Sequence, residues 1–266
     1  MTSRDIRHYG AAPLPVHGAG APGAVEVWLI GLPGLGDGAG DAGAEVLDEA
    51  ERARARGFVR DRDRARYRGA HRALRHLLGA YQGLAPHEVV LARDECPSCG
   101  GRHGRPRAVP VSGAGAAPHF SLSYAGDLAL VAFAARPVGV DIEDVPSRAT
   151  AGGVAGLLHP REQDELNALP SGGRAAAFAR CWARKEACLK GTGRGLAEGV
   201  AEPYVGCGER PAAGPDGWEL YDLPVRGGSA AALAVRAAGC TPQPPGAAVQ
   251  GVGAGCVAAA GAAVVG

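Results

Sequence analysis

The middle of the chain, residues 119–143, reads HFSLSYAGDLALVAFAARPVGVDIE. Three apolar or alternating runs within it predict three β-strands, at about residues 120–124, 129–134 and 138–143. The runs are separated by Gly126 with Asp127 and by Arg136 with Pro137, which are turn-forming pairs. The stretch therefore predicts that a sheet forms the centre of the fold.

Helices and further strands are predicted on both sides of this centre. Before it, the pattern predicts one strand and two helices, at about residues 25–30, 44–56 and 61–81. After it, helices are predicted to begin near Pro160 and Gly173, and closing strands at about residues 200–205, 218–223 and 231–235. The helix-then-sheet order occurs twice. This order favours an α+β fold with two similar halves that meet near residue 136.

The two ends of the chain differ from the rest in composition. Both are rich in Gly, Ala and Pro and have no usable period, so we expect loose segments there. The predicted organisation is a loose N-terminal segment (1–23), an N-terminal α+β half (24–135), a C-terminal α+β half with the metal site (136–240) and a disordered Gly/Ala-rich tail (241–266).

The composition argues against several classes of protein. A formal net charge of +1 gives no general argument for a nucleic-acid or membrane partner. No apolar run reaches the roughly 18 residues that span a bilayer, and the first residues lack the apolar region of a secretory signal. We therefore expect a soluble, cytoplasmic protein. The seven cysteines include one close pair, so reduced thiols are expected instead of a disulfide framework.

Lysine is rare in this chain and is confined to one segment. Of 28 lysines and arginines, only Lys185 and Lys190 are lysines, and both lie in the segment WARKEACLK that begins at Trp182. A compact, mobile ammonium differs from a planar guanidinium in what it binds, so the segment is a candidate site. Glu186 and Lys190 are four residues apart on the predicted helix. Spacing alone leaves open an ordinary surface ion pair, or a metal ligand beside a phosphate-binding cation.

Two carboxylates stand at the end of the predicted strand 138–143. Asp141 and Glu143 are two residues apart and therefore project from the same face. Two like charges in this position repel each other, and a hard divalent cation such as Mg²⁺ would relieve the repulsion. An acidic strand end that is exposed to water is the alternative interpretation.

Two further segments have more than one interpretation. Between Glu51 and His76 there are ten arginines and three acidic residues, which indicates either an anion-binding element or a solvated face. Cys96 and Cys99 resemble half of a zinc knuckle, but a structural zinc site has four ligands and a tight turn is the simpler interpretation. Together the two segments allow an alternative function, a nucleic-acid-binding or protein-binding module with a zinc knuckle.

Four motifs in order resemble the larger, surfactin-type class of 4′-phosphopantetheinyl transferases. They are Gly104-Arg105-Pro106, Phe120-Ser121-Leu122-Ser123, Gly139-Val140-Asp141-Ile142-Glu143, and Trp182 to Lys190 in the pattern W-x-x-K-E-x-x-x-K. Each motif is weak alone, but the four in this order, over roughly residues 51–196, make the resemblance specific. It implies a pseudo-twofold pair of α+β halves with coenzyme A in the cleft between them.

The resemblance also implies roles for particular residues. Asp141, Glu143 and Glu186 would hold Mg²⁺, with Mn²⁺ as the other candidate, and Glu162 would lie near the metal. Coenzyme A, the co-substrate, would be bound by Arg72, Arg105, Ser123, Tyr124, Lys185 and Lys190. Glu186 and Lys190 would be the catalytic pair. One departure is Tyr124, which stands where the family usually has histidine and carries no positive charge at neutral pH, so either a lower coenzyme A affinity or a reshaped pocket is expected.

The function that the resemblance implies is transfer of 4′-phosphopantetheine from coenzyme A to a serine of an acyl or peptidyl carrier protein. Adenosine 3′,5′-bisphosphate would be released. The expected partners are carrier domains of polyketide, peptide or fatty-acid synthases, often in secondary metabolism, and the enzyme is expected to be a monomer. A non-catalytic member of the family is the second alternative.

Overall fold

The structure is a computed structural model that describes residues 6–15, 25–33, 46–97, 99–110, 116–194, 199–225 and 228–239. The helices are α1 (Glu49–Arg56), α2 (Asp61–Gln82), α3 (Arg148–Val154), α4 (Pro160–Ala168) and α5 (Ser171–Thr192). The strands are β1 (Ile6–His8), β2 (Val25–Gly31), β3 (Leu91–Arg93), β4 (Pro106–Ala108), β5 (His119–Ala125), β6 (Leu128–Ala134), β7 (Val138–Asp144), β8 (Trp218–Asp222) and β9 (Ser229–Arg236). The fold is α+β, as predicted.

The first half is built from α2 and a four-stranded sheet in the order β1-β2-β6-β5. The apolar stripe of α2 packs on this sheet, because residues such as Leu74 and Leu78 recur on one helical face. Trp28 of β2 and Phe133 of β6 complete the core from the sheet side. Strands β3 and β4 form a separate two-stranded hairpin.

A buried arginine fixes α1 against α2. The guanidinium of Arg75 donates to Glu51 Oε2 (2.6 Å) and to Asp48 Oδ2 (2.5 Å). The same two acidic residues form the capping box that starts α1. Because a buried charge is tolerated only when it is paired, this network holds α1 in one position.

The second half is built from α5 and a three-stranded antiparallel sheet in the order β7-β9-β8. Helix α5 lies close to β7 at Gly139, where an added Cβ atom would collide with the backbone of Ala187 and Gly191. Only glycine permits this approach. The core on this side includes Phe178, Cys181 and Leu220.

The two halves meet where β5 lies beside β7. The backbone N–H of Val140 donates to Ser121 Oγ (3.0 Å), so a side chain of one sheet satisfies the backbone of the other. Apolar residues of both sheets, among them Leu130, Ile142 and Leu233, form a further core at this junction. The chain passes from one sheet to the other between β6, which ends at Ala134, and β7, which begins at Val138.

Most predicted elements are present, and the differences are local. Residues 6–8, which were expected to be loose, form β1 and pair in parallel with β2. Residues 200–205, predicted as a strand, form bends. Strands β3 and β4 and helix α3 were not predicted, and α1 begins at Glu49. The rest of segment 1–23 (1–5 and 16–23), and the tail 241–266, lie outside the described residues.

Among the helices of the described residues, none has the length and apolar character needed to cross a membrane.

Candidate active site

A cleft of about 1250 Å³ opens between the first half and the C-terminal part of α5. Its walls include Asp48, Glu51, Arg54, Tyr67, His71, Phe120, Ser121, Leu122 and Tyr124, several residues of the segment 91–107, and Glu186, Leu189 and Lys190 of α5. Both halves therefore contribute to it. The predicted catalytic pair, Glu186 and Lys190, lies on one wall because residues four apart on a helix share a face.

Lys190 joins the cleft to a buried carboxylate. Its Nζ donates to Asp141 Oδ1 (2.6 Å) and to Ser123 Oγ (2.8 Å), and Ser123 Oγ donates to the same Asp141 oxygen (2.7 Å). Burial lowers the pKa of Lys190, but Asp141, Glu186 and Glu143 together outweigh this effect, and the pKa lies above its ordinary value. Lys190 is therefore an ammonium at neutral pH.

The site contains three carboxylates, Asp141, Glu143 and Glu186, and the positive charge of Lys190 offsets only part of their negative charge. Burial and repulsion from Asp141 raise the pKa of Glu143 to about 8 and that of Glu186 to about 7, although Lys190 acts in the opposite direction on both. Burial also raises the pKa of Asp141. The second oxygen of Asp141, Oδ2, is buried and makes no hydrogen bond within the described part of the protein.

These observations fit a hard divalent cation. Three carboxylates supply oxygen ligands only, which is the donor set that Mg²⁺ and Mn²⁺ prefer. Asp141 Oδ2 accepts no hydrogen bond from the described residues and can therefore serve as a metal ligand. Additional positive charge would stabilise the ionised forms of Glu143 and Glu186, whose pKa values burial and repulsion raise. In the described structure the oxygens of the three carboxylates do not all lie within 4.8 Å of one another.

The lining of the cleft is rich in arginine. Arg105 donates from Nη2 to Asp94 Oδ2 (3.1 Å) and from Nη1 to the carbonyl of Gly191 (2.9 Å), so it joins the β3–β4 hairpin to the end of α5. Arg54, Arg93, Arg102 and Arg107 also line the cleft. Arg72, the residue predicted from the resemblance, is not among the described residues that line it. The sequence motifs identified only Arg105 among the arginines that line the cleft. Arg54 lies in the arginine-rich segment 51–76, which was noted as a possible anion-binding element.

The two predicted strand residues have different environments. Ser123 is buried, and its hydroxyl is bonded to Asp141 and Lys190, so the structure gives it a role inside the cluster and does not expose it to a phosphate. Tyr124 is half-buried and lines the cleft. Burial raises the pKa of Tyr124, so its hydroxyl is neutral and can donate a hydrogen bond.

Lys185 and Glu162 are not in the cleft, which corrects the roles inferred for them. Both side chains are completely buried (0% exposed), and Lys185 Nζ lies 2.7 Å from Glu162 Oε2. Lys185 also donates to the carbonyl of Pro203 (2.6 Å), and Glu162 Oε1 accepts from the N–H of Val205 (2.7 Å). Lys185 is one residue from Glu186, about 100° around the helix, and therefore faces the core of the second half.

Known proteins resemble this chain over much of its length. The family model described as the 4′-phosphopantetheinyl transferase superfamily matches residues 137–211, which contain β7 and α5. The chain is 30% identical over 207 residues to the 4′-phosphopantetheinyl transferase HetI of Nostoc sp., covering 75% of this chain and 83% of that protein. It is 34% identical over 83 residues to the 4′-phosphopantetheinyl transferase psf-1 of Bacillus pumilus, covering 31% and 35% of the two chains.

Proposed function

The chain belongs to the 4′-phosphopantetheinyl transferase superfamily, and on this premise we propose which substrates it uses and which residues act on them. The donor is coenzyme A, and the acceptor is a serine hydroxyl of an acyl or peptidyl carrier protein. The products are the phosphopantetheinylated carrier and adenosine 3′,5′-bisphosphate. We assign the enzyme to the larger, surfactin-type class, with halves 24–135 and 136–240 related by a pseudo-twofold axis.

One observation carries the proposal: Glu186 and Lys190 line a cleft between the halves, and Lys190 is bonded to the buried Asp141. The cleft is larger than the roughly 300–1,000 Å³ typical of small-molecule sites, as an extended nucleotide such as coenzyme A needs. Its arginines supply donors that match phosphate oxygens, with Arg105 as the one taken from the family motifs.

Asp141, Glu143 and Glu186 are the residues that would hold Mg²⁺ or Mn²⁺. When bound there, the ion would neutralise charge on the pyrophosphate of coenzyme A. Lys190 and Ser123 both stabilise the charged form of Asp141, which opposes the effect of its burial. Ser123 thus holds in place both Asp141, a proposed metal ligand, and Lys190.

The proton transfers are assigned to the two residues on the cleft wall. Glu186 takes the proton of the carrier serine hydroxyl as its oxygen attacks phosphorus, because its carboxylate lines the cleft beside Lys190. The new P–O bond forms as the bond to adenosine bisphosphate breaks. Lys190, an ammonium, stabilises the negative charge that develops on the leaving phosphate and can donate a proton to it.

Mass spectrometry of an apo carrier domain tests this function directly. With enzyme, coenzyme A and Mg²⁺, we expect the carrier to gain one phosphopantetheine per acceptor serine. Glu186→Gln and Asp141→Ala should abolish transfer, whereas Glu209→Gln, an exposed glutamate away from the cleft, should transfer like the wild type. Wild-type enzyme that leaves every carrier tested in the apo form would refute the proposed reaction. Near-normal transfer by Glu186→Gln would refute the assignment of the base.

The alternative of a nucleic-acid-binding surface on the arginine-rich segment is disfavoured by ion pairing. Many of these arginines are bonded to acidic side chains of the same chain. The pairs are Arg52 and Arg56 with Glu49, Arg62 and Arg66 with Asp127, Arg64 with Asp61, and Arg75 with Asp48 and Glu51. Intramolecular pairing reduces the positive potential available to a nucleic-acid backbone.

A further inference from the structure

The loop between β3 and β4 brings three metal-binding side chains together. Cys96, Cys99 and His103 offer one ligand atom each, and these atoms all lie within 4.8 Å of one another. In the part of the chain that the structure describes, this is the one group of three or more His, Cys, Asp or Glu side chains with that geometry. The residues that we assign to transfer do not include any of the three.

One distance within the group is close to that in a tetrahedral zinc site. Cys99 Sγ lies 3.0 Å from His103 Nε2. With Zn–S near 2.3 Å and Zn–N near 2.0–2.1 Å, a tetrahedral ion would hold these two atoms about 3.5 Å apart. The two exposed side chains therefore need to separate by only about half an ångström to admit the ion.

The backbone of the loop is already folded around the group. The N–H of Cys96 donates to the carbonyl of Gly101 (2.7 Å), and the N–H of Gly100 donates to the carbonyl of Cys96 (2.8 Å). Gly100 has a φ of 71°, in the left-handed region that favours glycine. At Gly101 an added Cβ atom would lie 2.9 Å from the ring of His103 and 3.4 Å from Cys99 Sγ. The two glycines thus allow the three ligands to converge.

The ligand types select the metal. Thiolate and imidazole favour Zn²⁺, whereas Mg²⁺ prefers the oxygen ligands of the carboxylate site. Cys96 is buried and Cys99 and His103 are exposed, so the ion would have a protein side and a solvent side. Three protein ligands leave the fourth tetrahedral position for a water molecule, so this site departs from the four protein ligands of the usual structural zinc site.

We propose that Cys96, Cys99 and His103 bind one Zn²⁺ ion, which braces the β3–β4 loop at the edge of the cleft. The loop carries Arg102 and Arg105 to the lining of the cleft, so the metal would fix the position of these cations. Three ligands on a segment of eight residues close a short ring, which restricts the loop without the need for a large core. The proposal is independent of the transferase reaction.

Metal binding is tested on the full chain with Zn²⁺ and with Co²⁺ as a spectroscopic probe. Excess Mg²⁺ is included to occupy the carboxylate site. We expect one Zn²⁺ per chain, and sulfur-to-metal charge-transfer bands with Co²⁺, which oxygen ligands do not give. Cys99→Ser and His103→Ala should lose stoichiometric zinc. His87→Ala, which replaces another exposed histidine, should keep it.

Hydrogen exchange tests the bracing role. The amides of Cys96, Gly100 and His103 are hydrogen-bonded within the loop, so added Zn²⁺ should slow their exchange at least about tenfold in the wild type and not in Cys99→Ser. A wild-type chain that binds no zinc, or a Cys99→Ser chain that retains it, would overturn the site. Zinc binding without slower exchange would overturn the bracing role. A chain that transfers phosphopantetheine without binding zinc would overturn this proposal and leave the transferase assignment intact.

Discussion

Replacement of Lys185 by methionine separates a structural role from a phosphate-binding role. Lys185 and Glu162 are both fully buried, and Lys185→Met leaves the carboxylate of Glu162 without its ammonium partner. Removal of one member of a buried ion pair costs about 3–5 kcal/mol, because the remaining charge is uncompensated. At roughly 2–4 °C per kcal/mol for a chain of this size, the melting temperature should fall by about 6–20 °C.

Glu162→Gln combined with Lys185→Met tests whether the loss of stability comes from breaking the Lys185–Glu162 ion pair. Glutamine keeps a carbonyl oxygen that can accept from the N–H of Val205, but it carries no charge. The double variant should therefore be more stable than the sum of the two single losses implies, by at least about 1 kcal/mol. The variants are followed by thermal unfolding, with circular dichroism as the signal.

Transfer activity decides between the two roles. Assayed well below its melting temperature, Lys185→Met should retain a KM for coenzyme A within about threefold of the wild type, since Lys185 lies away from the cleft. A variant with wild-type stability and a large rise in KM would refute the reasoning. It would place the lysine on the phosphates after all.

Three other substitutions test the site and the packing. Lys190→Arg keeps the charge but cannot reproduce a compact ammonium between Asp141 and Ser123, so kcat should fall at least about tenfold in the carrier assay; equal turnover would remove the argument for lysine. Tyr124→His should lower the KM for coenzyme A if the cationic ring reaches a phosphate, and an unchanged KM would show that it does not. Gly139→Ala should destabilise the chain by about 3 kcal/mol or more in denaturant unfolding, because its Cβ would collide with the α5 backbone; wild-type stability would contradict the close approach.

The long elements could be predicted because their patterns repeat over many residues. The apolar stripe of α2 and the runs of β5, β6 and β7 each extend over a full element, so chance matches are rare. Strands β3 and β4 have three residues each, too few for alternation to be recognised. β1 is also three residues long, and it is fixed by its pairing with β2, a long-range contact that local pattern does not contain.

The predicted strand at residues 200–205 shows the opposite error. Val200 and Val205 are buried, so the apolar signal is real. The carbonyl of Pro203 in this segment accepts from Lys185, and the N–H of Val205 at its end donates to Glu162. Its backbone is therefore used to satisfy a buried ion pair and not a neighbouring strand, and periodicity cannot distinguish the two uses.

Part of the candidate site followed from spacing and part required the fold. Glu186 and Lys190 share a helical face by their separation, and Asp141 and Glu143 share a strand face. The contact between Asp141 and Lys190 joins residues 49 positions apart, which only the packing of α5 on β7 creates. Lys185 was assigned by resemblance, although its angular offset from Glu186 placed it on another face.

The hydrogen bonds among Ser123, Asp141 and Lys190 couple the proposed catalytic lysine to the contact between the two halves. Ser123 belongs to the first half, and its partners belong to the second. The two Ser123 bonds cross the junction, so a separation of about an ångström would break them while every helix and strand stayed intact, and Lys190 would keep its bond to Asp141 within the second half. Loss of turnover would then precede any spectroscopic sign of unfolding. We therefore expect activity to be lost when the contact between the two halves loosens, before the protein unfolds.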